Sequence, residues 1–368
     1  MKATVTGATG FLGAHVAQLL SERGDDVRIV YRDPDKLHVL RGISFKRSRA
    51  DALDFPAMRK ALHGSDVLFH TVGYVGSSPA ELVWEMNARA PRIAVEAAAA
   101  AGVGRVVVTS TISAIGTASN GPANEDTEYP ANWLGLLYPD SKRQGEREAL
   151  EAGERLGVEV VVVNPGYVLG VPVDRSQPGE NSTQTVGNYL RGRLPAVIDA
   201  PMNFVDVADV AAGHLLAAEV GRPGERYILG GENVTWPCFI DRLAELSDVH
   251  YPVFVLPGEV AVAARVRETL ALPGLLSAQG YELMAQDWRF SSEKAERELG
   301  YSARPFDETL GATVEWYLEL IEAGSFEGEP DTRLSTLSSV LELANRLGLL
   351  TGVRAVQAVT GRKLIAGL

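Results

Sequence analysis

The sequence predicts an α/β protein built on a doubly wound, mostly parallel β-sheet. Within the first 230 residues, short and continuously apolar runs alternate with longer segments of helical periodicity. Such runs are typical of strands that a parallel sheet buries on both faces, and their alternation with helices favours right-handed crossovers. A glycine-rich turn directly follows the first run. It is the strand–turn–helix unit expected at the start of such a fold.

Five apolar runs are the predicted strands of the main sheet: Lys2–Thr6, Val27–Tyr31, Val67–Thr71, Arg105–Thr109 and Val158–Asn164. Helical patterns lie between them, as at Leu12–Arg23 and Trp84–Ala101. Two later segments, Phe204–Val210 and Arg226–Leu229, are expected to return to the main sheet as short strands or helix entries.

The chain divides into three parts by pattern. Residues 1–170 form the predicted core, and residues 171–330 form a smaller, partly helical region that supplies a substrate pocket and returns strands and helices to the core. Residues 331–368 carry a local charge of +3 and place apolar residues at helical spacing, which predicts an amphipathic helical tail. We expect this tail to pack on its own protein or on a second subunit; contact with an anionic membrane surface is the alternative.

Composition narrows the class of protein. The formal net charge of −12 argues against nucleic acid or anionic lipid as a partner of the whole chain. The lone cysteine, Cys238, excludes an internal disulfide, and we expect it to be buried in a protein of a reducing, cytoplasmic compartment. The first residues do not resemble a signal peptide, and no apolar run reaches 18 residues. No cluster has metal-ligand spacing, so no metal is expected.

The glycines Gly7, Gly10 and Gly13 lie between the first strand and the first helix. One permits the tight turn, one allows the backbone to approach a pyrophosphate, and one allows the helix to pack closely on the sheet. The helix N-terminus then presents free N–H groups to phosphates. In this context the spacing predicts a dinucleotide site.

The end of the second strand indicates which dinucleotide binds. An acid at this point would bind the adenosine ribose and repel a 2′-phosphate, but the sequence has Tyr31 there, followed by Arg32. A guanidinium is a forked phosphate donor, so the sequence favours NADP over NAD. NAD remains the alternative, because Asp33 would supply the expected acid if the end of the second strand were shifted by one residue.

Tyr138 and Lys142 form a Tyr-x-x-x-Lys element at the start of a predicted helix, with Pro139 suited to its first position. Residues four apart share a helix face, so the phenol and the ammonium can address one pocket. A phenol titrates near ~10, and a nearby cation lowers that pKa by stabilising the phenolate. We therefore expect Lys142 to lower the pKa of Tyr138.

Hydroxyl residues follow the fourth predicted strand, at the carboxyl edge where such folds bind ligands. Thr111 is the first candidate to hydrogen-bond a substrate oxygen, and Ser110 and Ser113 are the alternatives. Hydroxyls at a strand end are also frequent turn formers.

Glycine triplet, hydroxyl strand end and Tyr-x-x-x-Lys, in this order, resemble the extended short-chain dehydrogenase/reductases, also called the NAD-dependent epimerase/dehydratase family. The resemblance covers about residues 1–320. The segments Gly224–Asn233 and Ser292–Tyr301 look most like the branch of dihydroflavonol reductase-like proteins and hopanoid-associated sugar epimerases. The resemblance implies a Rossmann fold and a homodimer. It also implies that Tyr138 is the acid/base, that Lys142 additionally binds the nicotinamide ribose, and that Thr111 hydrogen-bonds the substrate carbonyl.

The resemblance also implies which residues surround the dinucleotide: Gly7, Thr9, Gly10, Phe11, Leu12, Gly13, Arg32, Asp51, Ala52, Val72, Gly73, Thr109, Tyr138, Lys142, Pro165 and Val168. His70 is expected near the cofactor, and His214 is expected to be structural.

Two reactions compete. NADPH could reduce a carbonyl to an alcohol, or the reverse, or a sugar or nucleotide sugar could be epimerised or dehydrated on a tightly bound cofactor. Relatives that act on nucleotide sugars usually place an arginine where this chain has Met202, and methionine cannot neutralise a diphosphate. The apolar run Leu256–Leu276 suits an apolar substrate, and Ile112 and Ser113 lack the carboxylates of a dehydratase. The sequence favours the reductase. A third hypothesis is a protein that binds NADP without turnover.

Overall fold

The computed structural model describes residues 1–76, 78–129, 135–178, 182–257, 282–326, 340, 343–344, 347–348 and 363–367. The strands are β1 Lys2–Thr6, β2 Asp26–Tyr31, β3 Lys46–Arg49, β4 Val67–His70, β5 Arg105–Thr109, β6 Glu159–Pro165, β7 Tyr167–Leu169, β8 Ala196–Ile198, β9 Pro201–Asp206, β10 Arg226–Leu229, β11 Glu232–Thr235, β12 Val253–Leu256 and β13 Ile365–Ala366.

The α-helices are α1 Phe11–Glu22, α2 Phe55–Leu62, α3 Ala80–Trp84, α4 Ala90–Ala101, α5 Leu137–Leu156, α6 Gln184–Leu190, α7 Val207–Val220, α8 Trp236–Ser247, α9 Glu293–Leu299 and α10 Phe306–Glu322. A π-helical turn, Glu85–Arg89, joins α3 to α4, and 3₁₀ turns occur at Pro34–Leu40 and Ile112–Ala114.

The main sheet has seven strands in the order β10-β6-β5-β4-β1-β2-β3, and every neighbouring pair is parallel. Strand order reverses direction between β1 and β4, the switch point at which ligands of doubly wound sheets bind. The predicted doubly wound Rossmann sheet and its five apolar strands are confirmed. Helices α1 and α7 pack together on one face, and α2, α4 and α5 on the other.

Strand β3 was not predicted because its sequence, Lys-Arg-Ser-Arg, has no apolar residue. It is the edge strand beside β2, and its side chains are largely exposed. An edge strand needs only backbone pairing on one side, and charged side chains protect it from pairing with other chains.

The prediction that Phe204–Val210 returns to the main sheet is wrong. This segment becomes β9 and the start of α7, and β9 pairs with β7 and β11 in a separate three-stranded sheet. A Cβ on Gly166, between β6 and β7, would lie 2.5 Å from Asn203 Oδ1, so the chain leaves β6 directly against β9. Arg226–Leu229 does return to the main sheet, as β10.

A third sheet, β13-β12-β8, includes the C-terminal residues. Asp241 on α8 holds this end, because its carboxylate accepts from Lys363 Nζ and from the N–H of Gly367, the latter at 3.0 Å. The helical tail predicted for residues 331–368 therefore ends in a strand. Most of that tail lies outside the described residues.

The described core has three main clusters, two that flank the main sheet and one under the smaller region. In the last, the aromatic rings of Phe204, Trp236, Phe239 and Phe306 pack in stacked, tilted and edge-on pairs with centroids 5.0–6.0 Å apart. The expectation of a buried cysteine is wrong, since Cys238 is exposed near the start of α8. Among the helices that the structure describes, none combines the length and the apolar character needed to cross a bilayer.

Close packing of α5 depends on Gly145, since a Cβ there would lie 2.0 Å from the backbone oxygen of Asn87. We expect Gly145→Ala to destabilise the fold by about 1–3 kcal/mol, because the helix must move away from the π-helical turn. Gly311→Ala is the matched control: it is a helix-interior glycine with open space at its Cβ, and alanine there should stabilise by about 1 kcal/mol. Urea unfolding measures both, and equal effects at the two positions would contradict the packing argument.

Candidate active site

The glycine turn has the geometry that the sequence predicts. Gly7 has a φ of +74°, which favours glycine, and a Cβ on Gly13 would lie 2.3 Å from the Gly7 carbonyl oxygen. Helix α1 begins at Phe11, and no side chain caps its N-terminus. Its first N–H groups are therefore available to an anion such as a pyrophosphate.

A cavity of about 380 Å³ runs from this turn along the carboxyl ends of β1, β2 and β4. Eight of the predicted cofactor residues line it: Gly7, Thr9, Gly10, Arg32, Asp51, Ala52, Val72 and Gly73. The glycine cradle, the uncapped helix and the cavity together fit a dinucleotide.

The far end of this cavity contains Arg32, Asp33, Lys36 and Asp51. Arg32 is largely exposed, with its guanidinium 3.7 Å from the Asp51 carboxylate. Asp33, the residue that left NAD open, caps the following 3₁₀ turn by accepting from the N–H of Asp35 at 3.0 Å. Lys36 was missed by the sequence analysis, because only the turn after β2 brings it beside Arg32.

The remaining predicted cofactor residues take other positions. Phe11 and Leu12 form the first turn of α1, and Gly13 seats that helix on the glycine turn. Pro165 ends β6, while Val168 on β7 lines a second cavity. The Thr109 hydroxyl is engaged elsewhere, since it hydrogen-bonds His214 Nε2 at 2.8 Å.

His214 and His70 are both buried and uncharged. His214 Nδ1 lies 2.8 Å from the Val210 carbonyl, which places its proton there and leaves Nε2 to accept from Thr109. Burial lowers the pKa of His214 to about 4, and burial together with the charge of Lys142 lowers that of His70 to about 3. His214 is therefore a structural link between α7 and β5.

Thr111 lies just beyond the end of β5 and caps the turn Ile112–Ala114. Its hydroxyl oxygen accepts from the N–H and the hydroxyl of Ser113, both at 3.3 Å. Its own proton is thus left to donate to the Tyr138 phenol, with which it hydrogen-bonds. Ser110, the other alternative, has a buried hydroxyl without a partner among the described residues.

Tyr138 stands on the second residue of α5, so Pro139 occupies the third position rather than the predicted first. Burial raises the pKa of Tyr138 to about 12, while the hydrogen bond with Thr111 acts to lower it. The expected lowering of this pKa by Lys142 is not found in the chain alone. The reason is that desolvation of the phenolate outweighs the one interaction that stabilises it.

Lys142 is buried one helical turn after Tyr138, and its ammonium donates to the Thr109 carbonyl at 3.2 Å. A Cβ on Gly73 would lie 2.7 Å from Nζ, so the lysine reaches the wall of the dinucleotide cavity. Asn87 supports this wall: its side chain bonds both backbone groups of Tyr74 and the Ser141 hydroxyl. Burial lowers the pKa of Lys142 to about 8, and the charge of Glu146 opposes this shift.

The second cavity, of about 430 Å³, opens at Thr111 and Tyr138. Apolar side chains make up most of its wall, including Ile112, Leu136, Leu137, Val168, Met202, Leu283, Met284 and Trp288. The described part of the wall contains no lysine or arginine. Met202 lines it, and all but the first two residues of the predicted apolar run Leu256–Leu276 lie outside the described residues.

Two buried polar residues lie behind the site. Asn164 near the end of β6 donates to the Thr111 carbonyl at 2.9 Å and to Glu146 on α5 at 2.5 Å. The sequence did not predict these contacts, because only tertiary packing brings the two residues together.

Comparison with known proteins agrees with this geometry. Residues 3–230 match the model of the NAD dependent epimerase/dehydratase family. A putative dihydroflavonol 4-reductase of Synechocystis sp. is 30% identical over 325 residues, which are 85% of this chain and 93% of the relative. Sterol demethylase protein B of Methylococcus capsulatus is 30% identical over 87% of this chain and 99% of its own length.

Among solved structures, a nucleoside-diphosphate-sugar epimerase from Pseudomonas aeruginosa superimposes with a TM-score of 0.74 at 26% identity, covering 89% of this chain and 99% of that one. The fold, the glycine turn and these relatives lead to one conclusion. The chain belongs to the NAD-dependent epimerase/dehydratase family and is an NAD(P)-dependent oxidoreductase of the extended short-chain dehydrogenase/reductase group, in its dihydroflavonol reductase-like branch.

Proposed function

We propose that the protein is an NADP-dependent reductase that interconverts a carbonyl and an alcohol on a fairly apolar small molecule. The observation that carries this proposal is the apolar cavity that ends at the hydroxyls of Thr111 and Tyr138. A substrate oxygen at that end meets the polar groups, while the rest of the molecule lies against aliphatic and aromatic side chains. Mostly apolar pockets with few polar groups are typical sites for such molecules.

The proposed chemistry divides between the cofactor and the chain. The reduced nicotinamide supplies the hydride when it is bound, and Tyr138 supplies the proton to the substrate oxygen. With its pKa raised to about 12, the phenol is protonated at neutral pH and is ready to act as an acid in the direction of reduction. Thr111 orients the substrate oxygen and hydrogen-bonds the phenolate that remains, and the proposed partner of the Lys142 ammonium is the nicotinamide ribose.

The described wall of the apolar cavity has no lysine or arginine, which supports net reduction over epimerisation of a nucleotide sugar. A diphosphate needs cationic partners, and the described wall has Met202 at the position where an arginine would be expected. The epimerase remains the second candidate, because the Pseudomonas aeruginosa structure with 26% identity carries that name. The names of two relatives, sterol demethylase protein B and the putative dihydroflavonol 4-reductase, fit the proposal of an apolar substrate.

The preference for NADP is proposed from the far end of the dinucleotide cavity. Arg32 and Lys36 place two cations there, and Asp33 is turned to the N-cap of the next turn. The exposed pair of Arg32 with Asp51 is weakly held, so a phosphate can replace the carboxylate.

Arg32→Ala should weaken NADP binding by about tenfold or more while changing NAD binding little, because a charged hydrogen bond to the 2′-phosphate is lost. Dissociation constants of both cofactors, measured by quenching of intrinsic fluorescence, provide the comparison. Arg47→Ala, an exposed arginine on the adjacent strand β3, is the control and should leave the ratio unchanged. A preference for NAD that is the same in the wild type and in Arg32→Ala would contradict the assignment.

Tyr138→Phe should reduce kcat by about 10²–10⁴-fold with cofactor affinity nearly unchanged, because it removes one proton donor and no binding group for the dinucleotide. Tyr251→Phe is the matched control, since this phenol lines neither cavity. The assay follows the reduced-nicotinamide absorbance with a panel of apolar aldehydes and ketones. Full turnover by the tyrosine variant would refute the role of Tyr138.

The same assay separates the candidate reactions. Stoichiometric loss of absorbance with an apolar carbonyl supports the reductase. Unchanged absorbance with a rearranged nucleotide sugar would instead establish the epimerase, and silence with both would favour binding without turnover. The homodimer, the cytoplasmic location and the boundary near residue 170 stay predictions; light scattering after gel filtration measures the first of them.

A further inference from the structure

We propose that Glu146 is a positioning residue of this site, which holds Lys142 in its charged form and fixes Thr111 through Asn164. This proposal rests on the proposed function, because it assigns a role to a residue that touches neither cavity. Glu146 follows Tyr138 and Lys142 at intervals of four residues on α5, so all three share the inward face of the helix.

The first observation is a chain of hydrogen bonds. The Asn164 side-chain nitrogen donates to Glu146 Oε1 at 2.5 Å and to the Thr111 carbonyl at 2.9 Å. One amide group therefore joins α5 to the residue whose hydroxyl faces Tyr138. Glu146 is almost completely buried, with its side chain only 1% exposed.

The second observation is the surrounding charge. Oε2 of Glu146 lies 3.5 Å from Arg143 and 3.7 Å from Arg226 on β10. Burying a charged side chain is costly, and the two guanidinium groups offset that cost for Glu146. The charged and titratable groups that face Lys142 or Glu146 are Arg143 on α5, Arg226 on β10, His70 on β4 and Tyr129 in the loop before α5.

Burial and the charge of Glu146 act on Lys142 in opposite directions. Burial lowers the pKa of this lysine to about 8, Glu146 acts against that shift, and His70 is uncharged above a pKa of about 3. A lysine with a lowered pKa keeps its charge below that value and loses it as the pH rises through it. Without the carboxylate charge, this loss must begin at lower pH.

The direct test is a pH titration of Lys142 by NMR in the full-length protein. The chain has seven lysines, which can be labelled at Cε, and the Lys142 signal is identified by its absence in Lys142→Met. Glu146→Gln keeps an oxygen for Asn164 but removes the charge, and we expect its Lys142 midpoint to fall by about one pH unit or more. Glu151→Gln, on the exposed side of the same helix, should leave the midpoint unchanged. An unchanged midpoint in Glu146→Gln would overturn the proposal.

Glu146→Asp separates the effect of the carboxylate charge on Lys142 from the effect of the hydrogen bond with Asn164. It keeps the carboxylate but shortens it, so the Lys142 midpoint should stay near that of the wild type while the contact with Asn164 is lost. In turnover, the alkaline fall of kcat/KM should move to lower pH in Glu146→Gln only, and KM should rise in Glu146→Asp. An aspartate variant whose midpoint falls as far as that of the glutamine variant would also overturn the proposal.

The NMR titration does not depend on catalysis. If the wild type reduces no carbonyl, the proposed function fails, yet the Lys142 midpoints still decide whether Glu146 controls its charge. If turnover is present and the midpoints coincide, the role of Glu146 fails and the reductase stands.

Discussion

Close packing of α5 against the π-helical turn Glu85–Arg89 is the constraint on which the site depends. Gly145 allows this approach, because any side chain there would meet the backbone of Asn87. The consequence is that Lys142 and Glu146 are carried into the interior, and Tyr138 is held where the apolar cavity begins. A helix held further from this turn would expose these groups to solvent, where a phenol and an ammonium have ordinary pKa values.

Burial has opposite effects on the two central groups. It makes the phenol a weaker acid and the ammonium a stronger one, since desolvation disfavours whichever form carries charge. The surrounding polar groups correct this in different ways: Thr111 donates to the phenol, Glu146 faces the lysine, and the Thr109 carbonyl accepts from the ammonium. The pKa values of the site therefore depend on a few specific contacts, made by residues of β5, of the turn that follows it and of α5 itself.

Much of this was predictable from sequence, for physical reasons that differ between elements. The five apolar strands were predictable because burial on both faces leaves a continuous apolar run, and the glycine turn because backbone geometry excludes other residues. Tyr138 and Lys142 were predicted because their spacing is local, and Thr111 because it follows the end of a strand. Strand β3 has no apolar signal, and β9 shows the same hydrophobic pattern whichever sheet it joins.

The contacts that the sequence did not predict depend on tertiary packing. Lys36 lines the same cavity as Arg32 because a turn capped by Asp33 brings it back, and Asn164 meets Glu146 only because β6 ends beside α5. Likewise, the pKa of Tyr138 could not be predicted from the nearby lysine alone, since the degree of burial decides its direction.

A structure of the complex with NADP tests the central claim most directly, namely that the two cavities meet at one reacting centre. We expect the 2′-phosphate beside Arg32 and the nicotinamide ring between Lys142 and the end of the apolar cavity at Tyr138 and Thr111. A nicotinamide ring bound away from Tyr138, or a dinucleotide that does not occupy the glycine turn, would contradict it.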